Sequence, residues 1–419
     1  MAELFLKTAL KLETINLFPP LHPLPPLYSL FYPLILFFMS ERPIPPEVYQ
    51  AAMGDNPENP ELDNERLEKL MEEERREHDK RLDEVVDGFV MRREDEEARK
   101  LNEVVGGLTT RREAGKKGAS KIRTLILALS GAATGTYEAG QLAALLETGI
   151  TPKEIDNCVG ISTGAGGLLY YVTGRENYYK GVGIYTHVLN EKGFLNWKNW
   201  PRIMNLGVVF RAVLKGERAV NIPAVMASSS GFWVIAQNTL NEKNEIINAK
   251  NDPINAVHAT MAVPYFYGEK VQVEGGTYTD GAFAETPLED IIKKFEPTHV
   301  LIIPNMPFED LANFKIVNGV LKVIEWFLPE EGTPGVFKKV LQREGDVKSL
   351  RQACDEISVR YGVKIGWLWP PDCGIRPTTT DSALLQNALQ AAAVDAYKKF
   401  NKYNPDPTKR EKQDFPFWC

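Results

Sequence analysis

Ser162 lies between Gly160 and Gly164 in the run Val159-Gly160-Ile161-Ser162-Thr163-Gly164-Ala165-Gly166-Gly167. This G-x-S-x-G spacing is what a nucleophilic serine needs on a sharp strand-to-helix turn. The backbone there is strained and the hydroxyl pushed outward, and small flanking residues let strand and helix pass closely. A helix starting just after the serine adds N–H donors and the positive end of its dipole. A Gly-rich turn with a capping serine has the same pattern. The pentapeptide gains weight only from its setting.

A serine hydroxyl is a poor nucleophile until something takes its proton. Three side chains are candidates. His258 falls in the helical run Ile254–Met261, with nothing to aim it at the serine. His299 follows Asp280 and so respects the Ser…Asp…His order of α/β-hydrolases. It opens an apolar strand, however, which suits a neutral core histidine. Asp280 sits in the turn Thr279-Asp280-Gly281-Ala282 after an extended run, where a carboxylate stands at a sheet edge. An aspartate bonding its own turn backbone fits those residues too.

Negative charge developing on a substrate carbonyl needs N–H donors. Ser130-Gly131-Ala132-Ala133-Thr134-Gly135 offers amides obstructed only by small side chains, between a strand and a helix. A plain small-residue turn reads the same way. As a phosphate cradle the stretch is weak, because it lacks the Walker spacing and its Gly-Lys-Ser/Thr ending.

The elements that must position these groups alternate. Ile122–Leu129 reads as a buried strand, Tyr137–Glu147 as a helix, Cys158–Ile161 as a second strand and Thr163–Val172 as its helix. Such alternation predicts a mainly parallel sheet in an α/β fold. Phe232–Leu240 and Glu245–Ala249 pair around an Asn241–Asn244 turn, Ile254–Met261 is helical and Val271–Tyr278 is extended. Pro287–Phe295 is a helix and His299–Ile303 another buried strand. Residues 305–403 form a largely helical extension of the same domain. Helices are expected at Asn318–Phe327, Val336–Tyr361 and Asp381–Tyr403, a strand at Val363–Trp369, and a polar tail over 404–419.

Residues 175–221 have no clean period and are rich in aromatics: Tyr178, Tyr179, Phe194, Trp197, Trp200 and Phe210. They form an insertion beside the site, either a lid or cleft wall for an apolar substrate or plain core.

Upstream, residues 58–120 are a charged helical arm and linker. Leu67, Leu70, Met71, Leu82, Val85, Val86 and Phe89 make a thin apolar stripe at helical spacing. Such an arm packs loosely on the main domain or, over 58–114, meets a protein partner. Gly106-Gly107 and Arg111–Ser120 read as the linker. Residues 1–57 are a Pro-rich tail expected to be disordered. A membrane-surface anchor and translated upstream sequence ahead of Met39 are the other readings. Prolines 19, 20, 23, 25, 26 and 33 break the apolar run, and the uninterrupted piece is too short to span a bilayer.

Bulk properties exclude several classes. A net charge of −7 and a pI near 5.5 argue against nucleic acid as the main partner. The four cysteines lack framework or metal-ligand spacing, as expected for free thiols in a reducing, cytoplasmic setting. The five histidines do not cluster, so neither a metal site nor another cofactor is expected.

Taken together, the Gly/Ala loop, G-x-S-x-G and Asp-Gly-Ala, in this order, resemble the patatin-like phospholipase family. Tyr137-Glu138-Ala139-Gly140 looks like that family's first helix. Val257-His258-Ala259-Thr260-Met261-Ala262-Val263-Pro264-Tyr265-Phe266 looks like the stretch leading to its aspartate. The resemblance covers about Lys121 to Pro304 and is weaker beyond. It implies a three-layer α/β/α catalytic domain over 121–304, with Ser162 as nucleophile and Asp280 as base in a dyad without histidine. Gly131, Ala132, Ala133 and Gly135 would bind the oxyanion. The implied activity is phospholipase A-type cleavage of lipid esters through an acyl-enzyme, without metal, at a transient peripheral membrane surface.

One departure opens alternatives. Ser130 and Ala132 stand where the family loop has its first and third glycines, and Thr134 where it has a cation. Alanine is costly if the loop demands φ > 0. A degenerate domain binding lipid or protein with little turnover, and an esterase or thioesterase for small acyl substrates, are therefore the other two readings.

Overall fold

A computed structural model describes residues 95–114, 121–189, 194–195, 202, 204–264, 267–307, 350–376 and 379–401. The expected Pro-rich tail, the arm before residue 95, the helix at 318–327 and the tail after 403 lie outside these residues. So do Trp197, Trp200 and the first part of the helix expected at 336–361.

β1 (Thr124–Ala128) is buried from end to end. Its branched apolar run is continuous because both of its faces are covered. Leu125 and Leu127 point into one layer, with Ile291, Ile357 and Trp367. Ile126 and Ala128 point into the other, with Leu142, Leu145 and Leu168. The same alternation recurs in β7 (His299–Ile303), so the sheet is the middle of three layers.

The other strands are β2 (Asn157–Ile161), β3 (Gly231–Asn238), β4 (Asn244–Asn248), β5 (Val271–Val273), β6 (Gly276–Asp280) and β8 (Lys364–Trp367). Their order is β5-β6-β3-β2-β1-β7-β8, with β4 also paired to β3. β1, β2, β3, β7 and β8 run parallel, while β4 and β6 are antiparallel to β3. The extended run expected over Val271–Tyr278 is instead the β5–β6 hairpin. Its Glu274-Gly275 turn has φ of +49° and +84°.

In chain order the helices are α1 (95–114), α2 (Gly135–Glu147), α3 (Thr163–Tyr171), α4 (Arg175–Gly183), α5 (Leu206–Leu214), α6 (Ile222–Ala227), α7 (Pro253–Met261), α8 (Leu288–Phe295), α9 (350–361) and α10 (Ser382–Asn401). A π-helical turn, Ile184–Val188, follows α4. α8 and α9 cover one face of the sheet; α2, α3, α7 and α10 cover the other.

The linker expected at Gly106-Gly107 is not one. α1 runs through both glycines and buries Leu101, Val104, Val105 and Leu108, at helical spacing, in the core. Gly107 is needed because a Cβ there would strike the His299 ring. The Arg111 guanidinium holds both Asp156 carboxylate oxygens, tying the helix end to β2.

The register along β3 brings two distant segments together. Ile161, the last residue of β2, pairs with Ile235, and Asp280, the last of β6, pairs with Ala236. β4 occupies the opposite edge of β3 over the same residues. β2 and β6 therefore share one edge and run head-on into each other. The residue after Ile161 is Ser162.

Candidate active site

Ser162 leaves β2 with φ 53° and ψ −125° and caps α3. A non-glycine residue at positive φ is held there only if its surroundings over-determine it. Here the Ser162 N–H donates to Thr260 Oγ1 at 2.9 Å. The Ser162 carbonyl accepts from the N–H groups of Ala165 (3.0 Å) and Gly166 (3.3 Å). The flanking glycines allow the close passage. A Cβ on Gly160 would run into the Ala165 backbone, and one on Gly164 would lie 2.5 Å from the Ala128 carbonyl oxygen.

The Ser162 Oγ donates to Asp280 Oδ2 at 2.7 Å. Asp280 is fixed in turn: its N–H donates to the Ala262 carbonyl at 3.0 Å, and its Oδ1 accepts the Ala282 N–H at 2.8 Å. Ser162 and Asp280 are 4% and 1% exposed, so their hydrogen bond lies in a water-poor, low-dielectric setting that strengthens it. The alcohol already points its proton at a carboxylate.

No family model and no curated protein matches this chain. Among solved structures it is similar to VipD from Legionella pneumophila, at 12% identity and a TM-score of 0.39, over 68% of each chain.

The histidines are engaged elsewhere. His258 Nε2 is paired with the Tyr267 hydroxyl at 2.9 Å, and its ring lies 4.6 Å from that of Phe210. His299 Nδ1 meets Thr298 Oγ1 at 2.9 Å beneath α1. Burial lowers both pKa values, with Lys364 adding to the effect at His299. Both therefore suit neutral structural roles.

The loop beside Ser162 is only partly free to meet an oxyanion. Ala132 has φ 50°, so the conformation that glycine takes without cost is occupied by alanine. Ala132–Thr134 makes a single 3₁₀ turn. The Gly131 N–H is used by Thr163 Oγ1 (3.1 Å), and the Gly135 N–H by the Ala132 carbonyl. Two of the four expected oxyanion groups are thus occupied within the fold. The N–H groups of Ala132 and Ala133 have no acceptor among the described residues. Thr163, first residue of α3, was not singled out from the sequence. It holds the loop by its side chain, and the first-turn amides of its helix carry the dipole's positive end.

Behind the loop, Glu138 on α2 is fully buried, and desolvation pushes its pKa well above the carboxylate range. Asn305, just after β7, donates through Nδ2 to the Leu129 carbonyl and, at 3.4 Å, to Glu138 Oε2. Its side chain abuts Gly131. Glu138 falls in the Tyr137–Gly140 stretch already noted, which does not reveal its burial, and Asn305 stands in no local motif.

Two recesses are lined by chain neighbours of the pair, though not by Ser162 or Asp280 themselves. One is almost wholly apolar; Thr163, Gly166, Tyr185, Phe210 and Met261 are among its walls. The other is open and bordered by Ser130, Ile161, Ala282, Thr286 and Asn305. The described part of the aromatic insertion contributes both to the core and to the wall of a recess. Tyr178 is core, edge-on to Tyr171 at 6.3 Å, whereas Tyr185 and Phe210 line the apolar recess. Tyr185 stands on the π-helical turn and donates to the Thr163 carbonyl at 3.0 Å; such turns often mark functional positions.

Among the described residues no group of three or more His, Cys, Asp or Glu could hold a metal ion. No helix among them is long and apolar enough to cross a membrane.

Proposed function

We propose that this protein is a serine hydrolase of the patatin-like type that cleaves carboxylic esters of acyl lipids. The reading is carried by one observation, the 2.7 Å hydrogen bond from Ser162 Oγ to Asp280 Oδ2 at the head-on junction of two strands. In acylation, Oγ attacks the ester carbonyl as its proton passes to Asp280 Oδ2. The amides of Ala132, Ala133 and the first turn of α3 stabilise the oxyanion. As the tetrahedral intermediate collapses, the C–O bond to the leaving alcohol breaks and that oxygen takes the proton from Asp280. Water then attacks the acyl-enzyme, giving its proton to Asp280. The intermediate expels Oγ, which recovers the proton, and a free fatty acid departs.

The apolar lining of the recess beside Thr163 matches the chemistry of an acyl chain, and the leaving group is assigned to the open cleft beside Ala282. The substrate would be drawn from a membrane surface. A second reading, a lipid-binding domain with little turnover, draws support from Ala132 at positive φ and from the occupied Gly131 and Gly135 amides.

One experiment separates them: fatty-acid release from phospholipid vesicles, and from p-nitrophenyl esters of rising chain length, by wild type, Ser162→Ala and Asp280→Asn. The hydrolase reading expects turnover in the wild type only, with medium or long chains preferred to acetate. If both variants keep wild-type rates, the assignment is wrong. A folded wild type whose Ser162 resists a fluorophosphonate probe supports the binding domain instead, and a preference for acetate supports a small-acyl esterase.

A further inference from the structure

The loop that carries the base away from the site crosses a strand. After Asp280 the chain passes over β3 so closely that a Cβ on Gly281 would collide with the Ile235 carbonyl oxygen. The glycine of Asp-Gly-Ala is therefore needed for this approach rather than for positive φ, which Gly281 does not have. On the far side of β3 the loop meets Asn244, the first residue of β4. Its Nδ2 faces the carbonyl oxygens of Gly281 (2.8 Å), Ala284 (3.0 Å) and Glu285 (3.0 Å). Three acceptors around one atom fix which end of the amide is the NH₂ group.

Asn244 is itself firmly placed. It pairs with Gln237 in the β3–β4 ladder, and the hairpin turn is closed by the Asn238 N–H on the Lys243 carbonyl at 2.9 Å. β3 is also the strand on which Ile161 and Asp280 are registered. One strand thus sets the nucleophile, the base and the anchor of the base's loop.

We propose that Asn244 is a positioning residue for the Ser162–Asp280 pair, acting through the 281–285 loop. The inference rests on reading those two residues as the reacting pair. Asn244 holds the loop down; the loop presents the Ala282 N–H to Asp280 Oδ1; that bond turns Oδ2 toward Ser162 Oγ. Ala282 and Ala284 also border the open cleft, so the same clamp shapes the leaving-group side. Losing it leaves the apolar recess untouched and misaligns the base, an effect on turnover rather than on binding. Misplacement by about 1 Å at a reacting centre is able to cost on the order of 10²-fold in rate.

The test compares wild type with Asn244→Asp, which turns an oxygen toward three carbonyls, and Asn244→Ala, which removes the donor without adding charge. The full-length proteins are checked by thermal melting, labelled with a fluorophosphonate and assayed on a p-nitrophenyl ester. The labelling rate and kcat are expected to fall by roughly 10- to 100-fold with KM within about twofold. Hydrogen–deuterium exchange over 281–286 is expected to quicken in Asn244→Ala. A labelled wild type whose folded Asn244→Ala variant keeps its kcat, labelling rate and exchange overturns the clamp alone. A KM that rises with kcat unchanged also overturns it. A wild type that the probe never labels overturns the reacting-pair reading and the role built upon it.

Discussion

Thr260 Oγ1 accepts the N–H of Ser162 at 2.9 Å while giving its own proton to the Ile235 carbonyl. One fully buried hydroxyl thereby joins α7, the turn after β2, and β3, and takes up the amide that the positive φ of Ser162 would otherwise leave unpaired.

Thr260→Val keeps the shape and deletes both bonds. A buried N–H without a partner costs about 1–3 kcal/mol, so the denaturation midpoint should fall accordingly. Hydrolysis should fall with it, because the strained turn loses its support. Thr260→Ser keeps the hydroxyl and gives up only one buried methyl, so it should stay within about 1 kcal/mol of wild type. A valine variant as stable and active as the parent would show that the turn holds itself.

The Gly/Ala loop gives a contrast between neighbours. Ala132 has φ 50°, whereas Ala133 is not among the non-glycine residues at positive φ. Left-handed backbone costs an L-residue about 1–2 kcal/mol, and glycine's greater freedom when unfolded offsets about 0.4–1 kcal/mol of any relief. Ala132→Gly should therefore leave stability unchanged or raise it by up to about 1.6 kcal/mol. Ala133→Gly, with no strain to relieve, should lower it by about 0.5–1 kcal/mol. Thermal melts of the two variants side by side decide the point. Equal losses would mean the loop does not sit as described.

Local chemistry made the ends of this site legible and hid its middle. Ser162 and Asp280 stand in short motifs whose glycines answer to close backbone approach, so residue type and spacing suffice. Unbroken branched runs at β1, β2 and β7 are likewise readable, because strands covered on both faces carry no alternation. Thr260, 98 residues from Ser162, and Asn244, 37 to 41 residues from the loop it holds, act through tertiary contact; Thr260 falls in the stretch that resembles the family's approach to its aspartate, but nothing local in the sequence shows either residue's role. α1 was obscured because two glycines inside a helix look like a linker until His299 is found against one of them. α4 and α5 were missed for another reason. Their sequences, Arg-Glu-Asn-Tyr-Tyr-Lys-Gly-Val-Gly and Leu-Gly-Val-Val-Phe-Arg-Ala-Val-Leu, mix glycine, aromatic and β-branched residues with poor helix propensity, and burial overrides it.

Glu138 makes stability depend on pH in a direction opposite to that of most carboxylates. Unfolded, it loses its proton near the ordinary value of 4.5; folded, desolvation keeps the proton on to well above that, with the weak Asn305 bond opposing only in part. Between the two values the folded state binds one proton more than the unfolded one. Stability from this group is complete below about pH 4.5 and falls by up to about 1.4 kcal/mol per pH unit as pH rises toward the folded value. Glu138→Gln removes the proton and keeps the shape. Its amide also gains a donor near the Asn305 Oδ1, which has no partner among the described residues. The variant should match wild type at pH 4 and melt progressively higher than it as pH rises above the unfolded value of 4.5. Asn305 abuts Gly131, so wild-type hydrolysis should also decline at alkaline pH more steeply than that of the glutamine variant. Melting curves that stay parallel from pH 4 to pH 8 would mean that Glu138 ionises in the folded protein much as it does in water.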